Sequence, residues 1–185
     1  MQNKNFRYVD DCAFIRLVDS FVKINKFGTG NGEAALYLGS KNDPDIFSFF
    51  ENDAFSAHCV LLKNEVIDYL NDVKEEYRNN RFPYRSEVSL DTWNRNYNEI
   101  LSLPDKLYFD LTRKRQFDRN GRVYAQELTY KRKKNLSIQY NHKAYVYDLI
   151  RRIAIPEVSF IMLTKLDKSE VVNFHASLYY DPNFE

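Results

Sequence analysis

The spacing of the apolar residues changes at Leu107 from a helical repeat to an alternating one. Upstream, Trp93, Tyr97 and Ile100 recur at the intervals of an amphipathic helix. From Leu107 onwards, apolar residues occupy every second position, which is typical of a strand with one buried face. The order of these patterns predicts an α+β fold: N-terminal helices followed by an antiparallel β-sheet built from hairpins, with one inserted helix.

The helical part is predicted to contain three helices. Asp11 is placed to cap the first, over residues 12–24, and Asn64 precedes the second, which has to end near residues 79–83. Ser89 is expected to cap the third. The glycines at positions 28, 30 and 32 predict a flexible loop, because the segment lacks the lysine that ends a P-loop.

The Asn120-Gly121 dipeptide predicts a β-hairpin formed by residues 107–115 and 123–131, since Asn-Gly is typical of two-residue hairpin turns. This register gives favourable cross-strand pairs: Asp110 with Lys131, Thr112 with Thr129, and Lys114 with Glu127. Downstream we expect a strand over 136–140, a helix over 143–153, and a second hairpin formed by 158–166 and 171–180.

The chain of 185 residues is long enough for a single α+β domain, residues 1–185. It can be subdivided into a helical acidic part, residues 1–80, and a sheet part with a basic hairpin, residues 81–185. Cys12 and Cys59 form no disulfide framework and suit a reducing compartment. Neither a membrane-length apolar run nor a signal peptide is evident, so we expect a cytoplasmic protein without membrane contact.

Charge is distributed unevenly, although the net charge is only +1. Residues 1–105 carry 12 basic and 17 acidic side chains, residues 106–134 carry 10 and 3, and residues 135–185 carry 5 and 6. The basic middle segment indicates either a solvated sheet face or a surface that contacts a polyanion such as RNA.

Arginines alternate with aromatic residues along the expected hairpin. The register places Arg113, Arg115 and Phe117 on the same side as Arg122, Tyr124 and Gln126. Such side chains either bind phosphates and stack on bases or shield the sheet edge from pairing. The candidate nucleic-acid-binding residues are Arg113, Arg115, Arg122, Lys131, Arg132, Lys133 and Lys134.

Helices that lead into a basic antiparallel sheet resemble the plan of barnase-, EndoU- and RelE-type ribonucleases. The resemblance covers roughly residues 91–180 and is architectural. It implies RNA cleavage without a metal or other cofactor, through acid–base side chains and a phosphate-binding cation. The candidates for acid or base are His175, His142, Glu127 and Tyr124. His175 is favoured among the histidines, because it alternates with Phe174, Ala176 and Leu178 and so lies opposite the core face.

The composition also resembles that of accessory proteins of phages and mobile elements, anti-CRISPR inhibitors among them, with 18 Asn and 14 Tyr in 185 residues. This resemblance implies a non-enzymatic inhibitor that binds a nuclease or a nucleoprotein complex. The partner expected from both resemblances is RNA or a ribonucleoprotein complex, and a homodimer is a further possible assembly. No metal site is predicted, because the cysteines and histidines lack paired spacing.

Overall fold

The described chain starts with a β-hairpin and not with the predicted helix. The computed structural model describes residues 5–22, 35–79, 88–114, 120–127, 142–167 and 171–183. Strand β1 (Phe6–Val9) pairs antiparallel with strand β2 (Cys12–Arg16). Asp10 has a positive φ of 51° in the two-residue turn that joins them. The acidic pair at positions 10 and 11 therefore forms a turn and does not begin a helix.

The two-residue period explains why a helix from Cys12 was the wrong prediction. Ala13, Ile15 and Leu17 occupy alternate positions and are fully buried. Phe14 lies on the other face of β2, opposite Met162. The apolar residues of this segment fit both a helical and an alternating pattern, and pairing with neighbouring strands selects the second.

The remaining elements follow in this order: β3 (Leu36–Ser40), α1 (Pro44–Phe50), β4 (Ser56–Leu62), α2 (Lys63–Asp72), α3 (Lys74–Asn79), α4 (Leu90–Leu101), β5 (Lys106–Arg113), β6 (Arg122–Gln126), α5 (His142–Ile153), β7 (Ser159–Lys165) and β8 (Phe174–Tyr180). The glycine-rich loop at 28–32 and the strand expected over 136–140 lie outside the described residues.

The described strands form one eight-stranded sheet in the order β1-β2-β7-β8-β4-β5-β6-β3. Strands β4 and β8 run parallel, with Val60 beside His175, so the sheet is mixed. The predicted order of helices first and an antiparallel sheet afterwards is wrong, because the helices are interspersed between strands. The β7–β8 hairpin inserts between β2 and β4, and such long-range neighbours leave no signal in the local sequence pattern.

The pairing of β5 with β6 also differs from the predicted register. Thr112 lies opposite Gln126 and not opposite Thr129, and Arg113 lies opposite Ala125. The backbone carbonyl of Gly121 accepts a hydrogen bond from Lys41 N at 2.8 Å. The Asn-Gly dipeptide thus adjoins the end of β3, with which β6 also pairs, and residues 114–121 separate β5 from β6.

Elements with strong local signals are confirmed. Helix α4 begins after Ser89, whose hydroxyl accepts a hydrogen bond from Thr92 N at 3.2 Å. Helix α2 follows β4, helix α5 ends at Ile153, and β7 and β8 form the expected antiparallel hairpin. None of the helices in the described ranges is both long and apolar enough to cross a membrane.

The sheet is nearly closed on itself, with β1 and β3 as its edge strands. Helix α1 follows the edge strand β3 and packs against the opposite edge strand β1, where the rings of Phe49 and Phe6 are 5.9 Å apart. Helix α5 is buried on most sides, and Tyr147 contacts Phe21 with ring centroids 5.6 Å apart. The hydrophobic core includes residues from both the 1–80 and the 81–185 parts of the chain.

Candidate active site

A histidine and an aspartate meet on the outward face of the sheet, where β4 pairs with β5. His58 lies directly opposite Asp110 in the register of the two strands. Their neighbours Cys59 and Phe109 are buried, so the two polar side chains lie on the face away from the core. His58 Nδ1 is 2.9 Å from Asp110 Oδ1, and the side chains are 45% and 17% exposed, respectively.

The aspartate fixes the orientation of the imidazole. An ionised carboxylate only accepts hydrogen bonds, so the contact with Asp110 favours the tautomer in which Nδ1 is the donor and Nε2 the acceptor. No described residue forms a hydrogen bond with His58 Nε2. The arrangement presents a basic nitrogen on a half-exposed ring that the carboxylate holds in place.

Lys143 supplies a cation beside this pair. It is the second residue of α5, and its Nζ donates to Asp110 Oδ2 at 2.8 Å. The two oxygens of Asp110 thus bind two different partners. The Lys143 side chain is 44% exposed, so the cation lies at the surface of the protein.

Two of the predicted acid–base residues bind the backbone of β5 next to the pair. Glu127 Oε2 accepts a hydrogen bond from Asp110 N at 2.6 Å, and its side chain is almost completely buried. His142 Nε2 accepts a hydrogen bond from Tyr108 N at 2.9 Å. Burial lowers the pKa of His142, which agrees with a neutral ring whose Nε2 serves as an acceptor. Both residues thus support the strand that carries Asp110.

Cys59 lies beneath the site but is not a nucleophile. Cys59 follows His58 in β4, and its thiol is buried on the core face of the strand. Burial raises the pKa of Cys59 well above its ordinary value, and the nearby carboxylates of Asp110 and Glu127 raise it further. A protonated thiol is a poor nucleophile.

The other two predicted acid–base residues lie apart from the His58–Asp110 pair. His175 occupies the outward face of β8, where its Nε2 is 2.7 Å from Glu65 Oε2. Tyr124 lies opposite Tyr37, at a ring distance of 5.5 Å, and Lys114 Nζ is 5.7 Å from its ring centroid.

The candidate nucleic-acid-binding residues are not assembled as predicted. Arg113 lies opposite the buried Ala125, so it does not share a face with Tyr124, and that part of the prediction is wrong. Its guanidinium lies 4.9 Å from the ring centroid of Phe47 and donates to the carbonyl of Asp53. Arg122 is exposed, opposite Ser40. The other candidates lie outside the described residues: Arg115, Lys131, Arg132, Lys133 and Lys134.

Sequence reasoning missed the residues that the structure brings together, His58, Asp110 and Lys143. The sequence pattern assigns no role to His58 and pairs Asp110 with Lys131. The available signal was the polar-apolar alternation of Ser56, Ala57, His58 and Cys59, which is that of a strand with a polar outward face. Within the described ranges, no group of three or more His, Cys, Asp or Glu residues is arranged to hold a metal ion.

No protein-family model, no curated protein and no solved structure matches the chain. The chemistry of the site is therefore inferred from its own residues.

Proposed function

We propose that the protein cleaves RNA without a metal ion and that His58 is the general base. The observation that carries this proposal is the 2.9 Å contact between His58 Nδ1 and Asp110 Oδ1, with the imidazole half exposed. A carboxylate that holds a histidine by Nδ1 orients Nε2 for proton transfer, and an imidazole exchanges protons near neutral pH.

In the proposed reaction, His58 Nε2 takes the proton from a ribose 2′-hydroxyl. The 2′ oxygen then forms a bond to the adjacent phosphorus, and the bond from phosphorus to the 5′ oxygen breaks. The departing 5′ oxygen takes a proton from water, and His58 later returns its proton to the solvent. The products are a 2′,3′-cyclic phosphate and a 5′-hydroxyl.

Lys143 has the position and the charge to stabilise the reacting phosphate. Its Nζ is 2.8 Å from Asp110 Oδ2, which places a cation next to the His58–Asp110 pair. A cation near the phosphorus stabilises the negative charge that accumulates in the transition state. The excess of basic residues between positions 106 and 134, net +7, would also attract a polyanion to the protein.

The test is cleavage of labelled structured RNA by the full chain in EDTA. The His58→Ala variant should lose about 10²–10⁴-fold in rate, the usual contribution of a positioned acid–base group. His175→Ala is the matched control, because His175 is also carboxylate-paired and lies on the same face of a neighbouring strand. Its rate should equal that of the wild type.

Two further readouts separate this role from a structural one. An RNA with 2′-deoxyribose at the cleaved position should resist cleavage, since it lacks the nucleophile. Asp110→Asn should lower kcat with little change in KM, because it disturbs the orientation of His58 and not the binding of RNA. Equal losses in His58→Ala and His175→Ala, or no cleavage of RNA by the wild type, would refute the proposal. Binding of RNA by the protein without cleavage would favour the alternative prediction of a non-enzymatic inhibitor.

A further inference from the structure

A pocket of about 230 Å³ opens next to the His58 site. It lies at the ends of α1 and β7 and at the beginnings of β4 and β8. Its apolar lining consists largely of the aromatic residues Phe49, Phe50, Phe55 and Phe174. The rings of Phe50 and Phe55 are stacked, with centroids 4.0 Å apart and an interplanar angle of 11°. Phe174 packs against Phe50 at 5.9 Å, so the rings support one another as a fixed aromatic wall.

The rim of the pocket carries several hydrogen-bond donors together with one carboxylate, that of Glu51. Asn52 Oδ1 accepts from Ala54 N, and Asn173 Oδ1 accepts from His58 N, both at 2.8 Å. Neither NH₂ group forms a hydrogen bond with another described residue, so both can donate to a ligand. Lys165 adds an ammonium group, which lies 3.3 Å from Glu51 Oε1 and 4.9 Å from the ring centroid of Phe49.

Size and polarity together indicate the kind of ligand. The volume is below the roughly 300–1,000 Å³ of pockets that enclose drug-sized molecules, which favours a single ring. Aromatic walls suit a planar ring, and a donor-rich rim suits a ring that carries carbonyl oxygens. Uracil meets these requirements better than cytosine, which carries an amino group in place of one carbonyl, or than the two-ring purines.

Two residues that line the pocket, Ser56 and Asn173, connect it to His58. Ser56 lines the pocket and precedes His58 by two positions on the same face of β4, a separation of roughly 6–7 Å along a strand. Asn173 lines the pocket and binds the backbone of His58. A nucleotide whose base occupied the pocket would therefore have its ribose and phosphate near His58.

We propose that this pocket binds the uracil base on the 5′ side of the phosphodiester that reacts at His58. The position of the cleaved phosphodiester relative to the bound uracil rests on the proposed function, whereas the base-binding site does not. The inference predicts selective binding of uridine nucleotides and preferential cleavage after uridine.

The binding test uses the full chain and the four ribonucleoside 3′-monophosphates, titrated by calorimetry. Uridine 3′-monophosphate should bind most tightly. Asn52→Asp keeps the oxygen that accepts from Ala54 N but replaces the donor NH₂ by an acceptor, so the affinity should fall about tenfold. Asn94→Asp, an exposed position on α4, is the matched control for the added charge and should leave the affinity unchanged.

Cleavage of the dinucleotides UpA, CpA, GpA and ApA distinguishes the two proposals. Uridine-selective binding without cleavage of any RNA would uphold the pocket and refute the proposed function. Cleavage that depends on His58 but shows no preference for uridine, together with equal binding of the four nucleotides, would overturn the pocket and leave the proposed function intact. A loss of nucleotide affinity in Asn94→Asp as large as that in Asn52→Asp would also overturn the proposed uracil pocket.

Discussion

Asp110 Oδ1 and His58 Nδ1 lie 2.9 Å apart although the two residues are separated by 52 positions in the chain. The contact depends on the antiparallel pairing of β4 with β5, which places the two residues directly opposite each other. On the far side of Asp110, Lys143 Nζ binds the second carboxylate oxygen. The geometry thus collects a base, an orienting carboxylate and a cation from β4, β5 and α5.

The His58–Asp110 contact should contribute little to stability. We expect a double-mutant cycle with His58→Ala and Asp110→Ala to give a coupling energy of about 1 kcal/mol or less, because His58 is half exposed and solvent screens the pair. Urea unfolding of the four proteins measures it. A coupling energy of several kcal/mol would indicate that the pair is structural and would weaken its assignment as an active site.

The stability of the protein should depend on pH through His142. Burial lowers the pKa of His142 in the folded state, whereas in the unfolded chain it keeps an ordinary value of about 6.5. Between these two values the unfolded chain binds more protons. The contribution of neutral His142 to the unfolding free energy is therefore fully present above about pH 6.5. It is lost as the pH falls towards the lowered pKa of the folded state.

A His142→Gln variant removes this titration and keeps a side chain that can accept from Tyr108 N. As the pH falls from 7.5 to 5, the unfolding free energy of the wild type should decrease relative to that of the variant. Subtracting the unfolding free energy of the variant from that of the wild type cancels the effect of the carboxylates that titrate in both proteins. Parallel stability curves over this range would contradict the prediction.

Local signals in the sequence predicted individual elements better than their arrangement. The Ser89 cap and the apolar repeat before Leu107 identified α4, and the alternation after Phe174 identified β8. The order of the strands could not be predicted in this way, because β8 pairs with β4 in parallel across more than a hundred positions. The same limit applies to the site, since each of its three residues belongs to a different element.

The Asn120-Gly121 dipeptide shows how a strong local signal can mislead. Strands β5 and β6 pair antiparallel as the dipeptide predicts, but it lies at the end of a longer connection, where Gly121 O accepts from Lys41 N. The predicted pair Lys114–Glu127 was chemically favourable and still wrong in register, while Lys131, the predicted partner of Asp110, lies outside the described residues. Complementary charges alone do not determine register where the length of the connection is unknown.

An ion pair between α4 and α5 should stabilise the protein above pH 5. Glu99 binds Arg152 through two contacts, at 2.9 and 3.1 Å, and also accepts from the hydroxyl of Tyr145. The hydrogen bond from Arg152 lowers the pKa of Glu99 below its ordinary value of 4.5. A lowered pKa contributes stability above the ordinary value, and this contribution is lost as the pH falls through the lowered one.

Arg152→Met should therefore cost about 1–2 kcal/mol of unfolding free energy at pH 7, and the deficit should shrink below pH 4. Arg95→Met, at an exposed position on α4, controls for the loss of an arginine and should be near neutral. The measurement is urea unfolding at pH 7 and pH 3.5. An equal deficit at both pH values would assign the effect to packing and not to the charge on Glu99.

The backbone at Gly121 should tolerate asparagine better than alanine. Gly121 has a φ of +68°, a left-handed conformation that costs most residues with a side chain about 1–2 kcal/mol and that asparagine adopts more readily. An added Cβ would lie 3.1 Å from the Lys41 side chain, which is flexible, so the backbone conformation and not the contact should dominate the cost. Urea unfolding should therefore rank wild type above Gly121→Asn and Gly121→Asn above Gly121→Ala. Since both variants add a Cβ, equal losses would mean that the contact with Lys41 decides the cost, and an alanine variant as stable as the wild type would exclude the left-handed conformation at this position.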